Sequence, residues 1–140
     1  MSCNKHIERS IGDCISRRYR SVVEIGIGDN PDAARIAAAA GLAVLCTDIR
    51  RDCAHEGLTV VADDLFSPTI SLYEAADLIY AIRPGIEMLP ALIDLARRVD
   101  ADLLVYHLGH EIYGDGGEIV HCGGIVLHRY HRRRGSLEEG

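Results

Sequence analysis

The residues best suited to chemistry lie in one short run, Glu24-Ile25-Gly26-Ile27-Gly28-Asp29-Asn30-Pro31. It closes an apolar segment, SVVEIGI, and opens an alanine-rich one, DAARIAAAA. Gly26 permits a tight turn between them, and Gly28 lets a ligand approach the backbone. Asn30 stands where a third glycine is common, and Asn tolerates left-handed conformations better than most residues. Asp48 follows at the end of the next apolar segment, LAVLCT. In a doubly wound sheet that position lies beside the glycine turn, in reach of a ribose hydroxyl pair. The expected chemistry is recognition of a nucleoside-containing ligand. The alternative is a tight turn that binds nothing, with Asp48 as a cap.

Charge narrows the ligand. A diphosphate settles at a helix start because bare N–H groups and the positive helix end attract it. Here Glu24, Asp29 and Asp32 surround the turn. Three carboxylates repel a diphosphate and favour a cation, such as the sulfonium and ammonium groups of S-adenosylmethionine. NAD(P) or another nucleotide is the alternative. The segment LTVVA then ends on Asp63-Asp64. Asp63 is placed to read an adenine amino group, and Asp64 reads as a solvated turn residue.

The elements that must hold these residues alternate. Ile7, Ile11, Ile15 and Tyr19 recur every four residues and predict a helix over about 4–19, which Gly12 weakens. Pro31 suits the first helical position, with Asp29 or Asn30 as cap, and Gly41 ends that helix. RRDCAHEG reads as a polar connector and SPTISLYEA as a short helix or loop. ADLIYAI and ADLLVYHL read as buried strands around a helix within 86–99, which Pro90 makes start late or kink. GEIVHC and IVLHRYHR flank Gly123-Gly124, a two-residue hairpin signal. Near-continuous apolar strands alternating with helices predict an α/β fold with a mostly parallel sheet. The expectation is one three-layer Rossmann-like domain over 1–140, ending in an antiparallel hairpin over about 117–132. About ten residues join the fifth strand to the hairpin, too few for a parallel crossover, so the sixth strand is expected to be antiparallel.

The Glu24-x-Gly26-x-Gly28 run, Asp48, Asp63 and the Ala76-Asp77-Leu78-Ile79 entry to the fourth strand resemble class I S-adenosylmethionine-dependent methyltransferases. More closely, VVEIGIGDNPDAA, YAIRPGIE and the terminal GGIVLHR resemble a family of small, uncharacterised archaeal proteins with a Rossmann-like fold, over roughly Ile7 to Arg133. The methyltransferase resemblance implies that Glu24, Gly26 and Gly28 line the methionine part of the cofactor. Asp48 would bind the ribose, and Asp63, with Leu65 nearby, the adenine. The rim after the fourth strand would face the transferred methyl group. There the chain departs from the amino-methylating pattern of Asn or Asp, Pro-Pro and an aromatic, and has Arg83-Pro84-Gly85-Ile86. Arg cannot accept a hydrogen bond from an amine. Arg83 would instead clamp an anionic substrate, or form a structural ion pair.

His107, at the tip of the fifth strand, borders the substrate side of the cleft or serves as a hydrogen-bonded rim residue. His107, His110 and Glu111 offer metal-ligand types, but on a strand and loop that set no ligand directions, and no metal is expected. His121, His128 and His131 are read as facing solvent or a subunit contact. The run HRYHRRR, with Arg129, Arg132, Arg133 and Arg134, reads as a solvated edge guarding against strand pairing, or as a local RNA contact.

Composition bounds the rest. The chain has 140 residues, 48% apolar and 26% charged, with a net charge of −6. Residues 1–127 hold 11 basic and 19 acidic side chains, a net of −8, which argues against broad nucleic-acid binding. No apolar run approaches membrane-spanning length, and the polar N-terminus is no secretory signal. Five cysteines without a C-x-x-C pair predict free thiols and a cytoplasmic protein. No segment is left for substrate recognition, and the usual last helix is missing. The uncovered sheet predicts a homodimer through the hairpin region. A non-catalytic subunit with a degenerate methyltransferase fold is the further alternative.

Overall fold

The structure is a computed structural model and describes residues 3–134. Its elements are α1 (Cys3–Arg18), β1 (Ser21–Ile25), α2 (Asp32–Ala39), β2 (Ala43–Asp48), β3 (Thr59–Ala62), β4 (Leu78–Ile82), α3 (Leu89–Val99), β5 (Asp102–Tyr106), β6 (Glu118–Cys122) and β7 (Ile125–His131). The strands form one sheet in the order β3-β2-β1-β4-β5-β7-β6. β1 to β5 are parallel, and β7 runs antiparallel between β5 and β6. This is the expected α/β, Rossmann-like sheet with an antiparallel end.

Helices cover both faces. Ile11, Cys14 and Ile15 of α1 and Ala33 and Ala37 of α2 pack with Val22, Leu78, Tyr80 and Leu104 on one face. Leu92, Leu95 and Ala96 of α3 pack with Val23, Ile79, Leu103 and Val105 on the other. The strands therefore read as continuous apolar runs, because alternate side chains enter different cores. Gly12 lowers the helix propensity of α1 but has a packing role. A Cβ there would stand 2.8 Å from Ile36 Cβ and 3.1 Å from the Ala33 carbonyl oxygen, so α1 and α2 touch through it.

Pro90 sits in the first turn of α3, where its missing N–H is harmless, after a 3-10 turn at Ile86–Met88. Pro31 lies one position earlier than expected, at the N-cap of α2, and the Asn30 side chain accepts the Asp32 N–H at 3.0 Å. The hairpin turns at Gly123 and Gly124, with φ of 57° and 87°, the double positive φ of a type I′ turn.

Two expectations are corrected. The sixth strand is not the antiparallel partner of β5. Residues 107–117 carry β6 past that position to the sheet edge, and β7 returns into the gap. The short link permits this because it needs no helix, and among the described residues β6 pairs only with β7. The cysteines are also not all free. Cys14 of α1 and Cys122 of β6 form a disulfide, 108 residues apart in sequence with Cα atoms 5.8 Å apart. Packing of α1 on the hairpin brings them together, which no spacing rule shows. Cys46 is buried and free, and Cys53 is free and half-buried. The Cys3 side chain lies outside the described residues. Among the described residues no helix is long and apolar enough to cross a membrane.

The Cys14–Cys122 bond closes most of the chain into one loop, which stabilises the fold chiefly by restricting the unfolded state, by about 2–4 kcal/mol. Dithiothreitol, or the pair Cys14→Ser and Cys122→Ser, is expected to lower the urea midpoint accordingly. An unchanged midpoint in both experiments would show that the bond adds nothing to stability.

Candidate functional site

Strand order reverses between β1 and β4: the chain moves outward to β2 and β3, then returns on the other side of β1. Connections that leave in opposite directions open a crevice at the carboxyl ends of these strands. The glycine turn stands at that point. Gly26 and Gly28 have φ of 74° and 59°, a region that favours glycine. Gly26 is exposed, and a Cβ on it would meet no atom within 4 Å. The backbone there faces open space.

The amide groups of the turn are largely consumed. The Gly26 and Ile27 N–H groups donate to the Thr47 carbonyl at 2.8 and 3.2 Å. Gly28 donates to Asp48 Oδ2 at 2.8 Å. With Asp32 bound to Asn30, four N–H groups that a diphosphate would use are already satisfied. Asp48 is buried, and its Oδ1 accepts the Arg50 N–H at 3.0 Å and Arg50 Nε at 3.4 Å. Burial acts to raise its pKa, but the Arg50 and Gly28 N–H donors and the Arg50 charge outweigh it and hold it below the usual carboxylate range. Arg50 also reaches Asp29 at 3.2 Å.

The acids expected around the turn thus differ in charge. Glu24 is 2% exposed and points into the α1–α2 side of the sheet, where Tyr80 donates to its Oε1 at 2.9 Å. Burial raises its pKa to about 8, Tyr80 opposes that, and the nearby Glu8 adds to it. Glu24 is therefore mostly protonated at neutral pH. Arg50 compensates Asp29 and Asp48, so the turn is less acidic than its sequence. Burial pushes the neighbouring Cys46 thiol up to about 12, which removes it as a nucleophile.

Asp63 lies one residue past β3 and closes the following loop. It accepts the Thr69 N–H at 3.2 Å and the Tyr73 hydroxyl at 2.7 Å. Leu65 is buried in the α3-side core. Asp64 is exposed and accepts the Phe66 N–H. Two large apolar side chains at the same edge stay exposed, Ile49 at 65% and Phe66 at 63%. Ile49 follows Asp48 directly, and Phe66 follows the end of the neighbouring strand.

The structure puts the Arg83 guanidinium 2.8 Å from Glu8 of α1 and over the Tyr106 ring. His107 Nε2 lies 2.6 Å from the Tyr130 hydroxyl, which also accepts the Tyr113 N–H at 3.0 Å. Burial and nearby His128 lower the His107 pKa, against Glu111, so its ring is neutral. His128 itself lies 2.8 Å from the Gly116 carbonyl oxygen. Among the described residues no three His, Cys, Asp or Glu side chains are grouped to hold a metal.

Several supporting residues were not visible in the sequence reading. The polar connector supplies Cys53 and His55, whose side chains lie 3.4 and 2.7 Å from the Gly28 carbonyl oxygen and buttress the turn. Tyr80 lies in a segment read as a buried strand and Tyr73 in one read as a short helix or loop, so neither hydroxyl stood out. The one available signal was Ile49, an apolar residue alone in the polar run Asp48-Ile49-Arg50.

The Glu24 carboxyl has a consequence for stability. Its folded pKa lies above the unfolded value of 4.5, so the folded state binds the extra proton. Its contribution is full below about pH 4.5 and is lost as pH rises through about 8. Glu24→Gln is expected to remove this slope and to raise the melting temperature at pH 9 relative to the parent chain. Equal pH slopes in the two proteins would refute a buried, protonated Glu24.

Residues 7–124 match UPF0146, an uncharacterised protein family. A UPF0146 protein of Archaeoglobus fulgidus is 40% identical over 106 residues, 75% of this chain and 78% of its own. One of Pyrococcus horikoshii is 31% identical over 126 residues, 86% of this chain and 96% of its own. Among solved structures, the proposed methyltransferase yhhF of Escherichia coli aligns with a TM-score of 0.54 at 13% identity, over 92% of this chain and 86% of that one. The sugar N-methyltransferase KedS8 of Streptoalloteichus sp. aligns at 0.55 and 15%, over 86% and 55%. A SAM dependent methyltransferase of Archaeoglobus fulgidus aligns at 0.50 and 16%, over 70% and 52%. The chain spans about half the length of the last two. At these identities the likeness concerns the fold, a class I methyltransferase-type sheet. By sequence, the chain belongs to the archaeal UPF0146 family.

Proposed function

We propose that the crevice at the glycine turn binds S-adenosylmethionine and that the protein acts as a methyltransferase-type protein. One observation carries this reading: Gly26 opens to free space while the turn's own amides are satisfied by Asp48, Thr47 and Asn30. Such a turn lacks the amide cradle of a diphosphate site yet keeps an ionised carboxylate at its edge. That disfavours NAD(P), on firmer ground than the acidity of the turn.

In this reading Gly26 and Gly28 let the methionine part lie against the backbone, with Glu24 beneath as a neutral wall. Asp48 accepts one ribose hydroxyl at the acceptor position that Gly28 and the two Arg50 donors leave open. Asp63 reads the adenine amino group, with Leu65 nearby in sequence, and Ile49 and Phe66 supply apolar faces for the ring. Bound there, the cofactor would supply a methyl group on a positively charged sulfur. The acceptor side is the rim after β4 and β5, where Arg83 and His107 stand. His107, neutral and held by Tyr130, orients an acceptor or takes its proton. Alignment supplies most of what methyl transfer needs, so a strong base is not required.

Calorimetry with S-adenosylhomocysteine and with NAD tests the cofactor. Saturable binding of the first is expected, weakened about tenfold by Asp48→Asn, the scale of one charged hydrogen bond. Binding of NAD, with none of S-adenosylhomocysteine at millimolar concentration, would overturn the reading.

The hairpin region supports a contact between two copies of the chain. Leu108, Ile112, Ile119 and Val126 are 58%, 52%, 52% and 38% exposed, an apolar surface of the kind proteins bury in association. Light scattering at micromolar concentration is expected to give a dimer mass, and Ile119→Asp with Val126→Asp a monomer. A monomeric parent chain would sink the dimer.

A further inference from the structure

A cavity lies at the other end of the sheet. It has a volume of about 890 Å³ and is lined by Ser16, Tyr19, Asp77, Asp102 and six arginines: Arg17, Arg18, Arg20, Arg129, Arg132 and Arg133. Three come from the end of α1 and the turn into β1, and three from β7 and the residues after it. They meet because β7 is antiparallel. Its carboxyl end reaches the amino edge of β1, β4 and β5, opposite the glycine turn.

Among the described residues the lining carries six positive charges against two negative ones, in a chain whose net charge is −6. Both aspartates are committed inward. Asp77 accepts the Arg20 and Ser21 N–H groups at 3.0 and 3.1 Å. Asp102 accepts the Tyr19 hydroxyl and the Arg133 N–H, both at 2.6 Å, with Arg129 at 3.7 Å. Glu118 holds Arg129 at 2.8 Å and Arg132 at 3.7 Å. Among the described residues no carboxylate pairs with the side chains of Arg17, Arg18 or Arg20. Helix-dipole complementation accounts for Arg17 and Arg18 in the last turn of α1. It does not account for Arg20, or for the arginines that β7 brings to the same cavity.

We propose that this cavity is a binding site for a small ligand carrying two or more linked phosphates, separate from the cofactor crevice. Guanidinium forks brought to one cavity by two distant chain segments suit several phosphates held close together. The volume is that of a small-molecule site. A single-stranded nucleic acid fits less well, because base stacking needs open aromatic faces. Among the described residues the only aromatic lining residue is Tyr19, half-buried and tied to Asp102.

Inorganic tripolyphosphate is the probe, titrated calorimetrically into the full chain at 50 and 300 mM salt. Saturable binding at low salt is expected, with affinity at least tenfold weaker at high salt. Arg18→Gln with Arg132→Gln is expected to weaken binding at least tenfold while the free protein still melts cooperatively, its midpoint lowered by only a few degrees. Arg98→Gln, an exposed arginine of α3 outside the cavity, is expected to change it less than twofold. Absent binding at millimolar tripolyphosphate, or equal losses in the Arg98 and double variants, would overturn the site. So would retention of a 12-nucleotide RNA by a chain that ignores tripolyphosphate. S-adenosylhomocysteine binding is measured separately, so either site can fail alone.

Discussion

A parallel sheet must be buried on both faces, because its crossovers place helices there and its strands carry no polar face. Most of this molecule follows from that constraint. Three helices cover five parallel strands, α1 and α2 on one side and α3 on the other. The chain completes one wing, β1 to β3, before starting the other at β4. The reversal leaves the carboxyl ends of β1 and β4 without a connection over them. The glycine turn, Asp48 and the residues after β4 and β5 all gather at that opening.

The same burial sets the protonation states. Glu24 lies under α1 and α2, where the Tyr80 hydroxyl donates to it, and desolvation outweighs that hydrogen bond. Asp48 is also little exposed, but backbone donors and Arg50 surround it and keep it ionised. Two acids at strand ends, on neighbouring strands, are thereby given different charges. The proposed recognition of a ribose rests on the one that stays negative.

The arginine cavity is a consequence of how the sheet ends. A seventh strand inserted between β5 and β6 must run backwards, so it delivers its terminal arginines to the edge where α1 ends. The two edges then differ in kind. The carboxyl edge has an open glycine backbone and exposed Ile49 and Phe66, and the amino edge has guanidinium groups around a polar hollow.

Local signals were enough for the elements and for the position of the crevice. Continuous apolar runs, Gly26 and Gly28 at a strand end, Pro90 near a helix start and Gly123-Gly124 between two strands each act within a few residues. Their conformational preferences are properties of the chain itself. The tertiary structure alone decided what depends on distant partners. Burial, with Glu8 nearby, keeps Glu24 protonated against the Tyr80 hydroxyl, Arg50 offsets Asp29, and Glu8 engages Arg83. Cys14 meets Cys122, Gly12 turns from a weak helix residue into a contact point, and β7 takes the place expected of β6. Each depends on residues brought together by packing, and desolvation, ion pairing and strand insertion have no local spacing that a sequence could display.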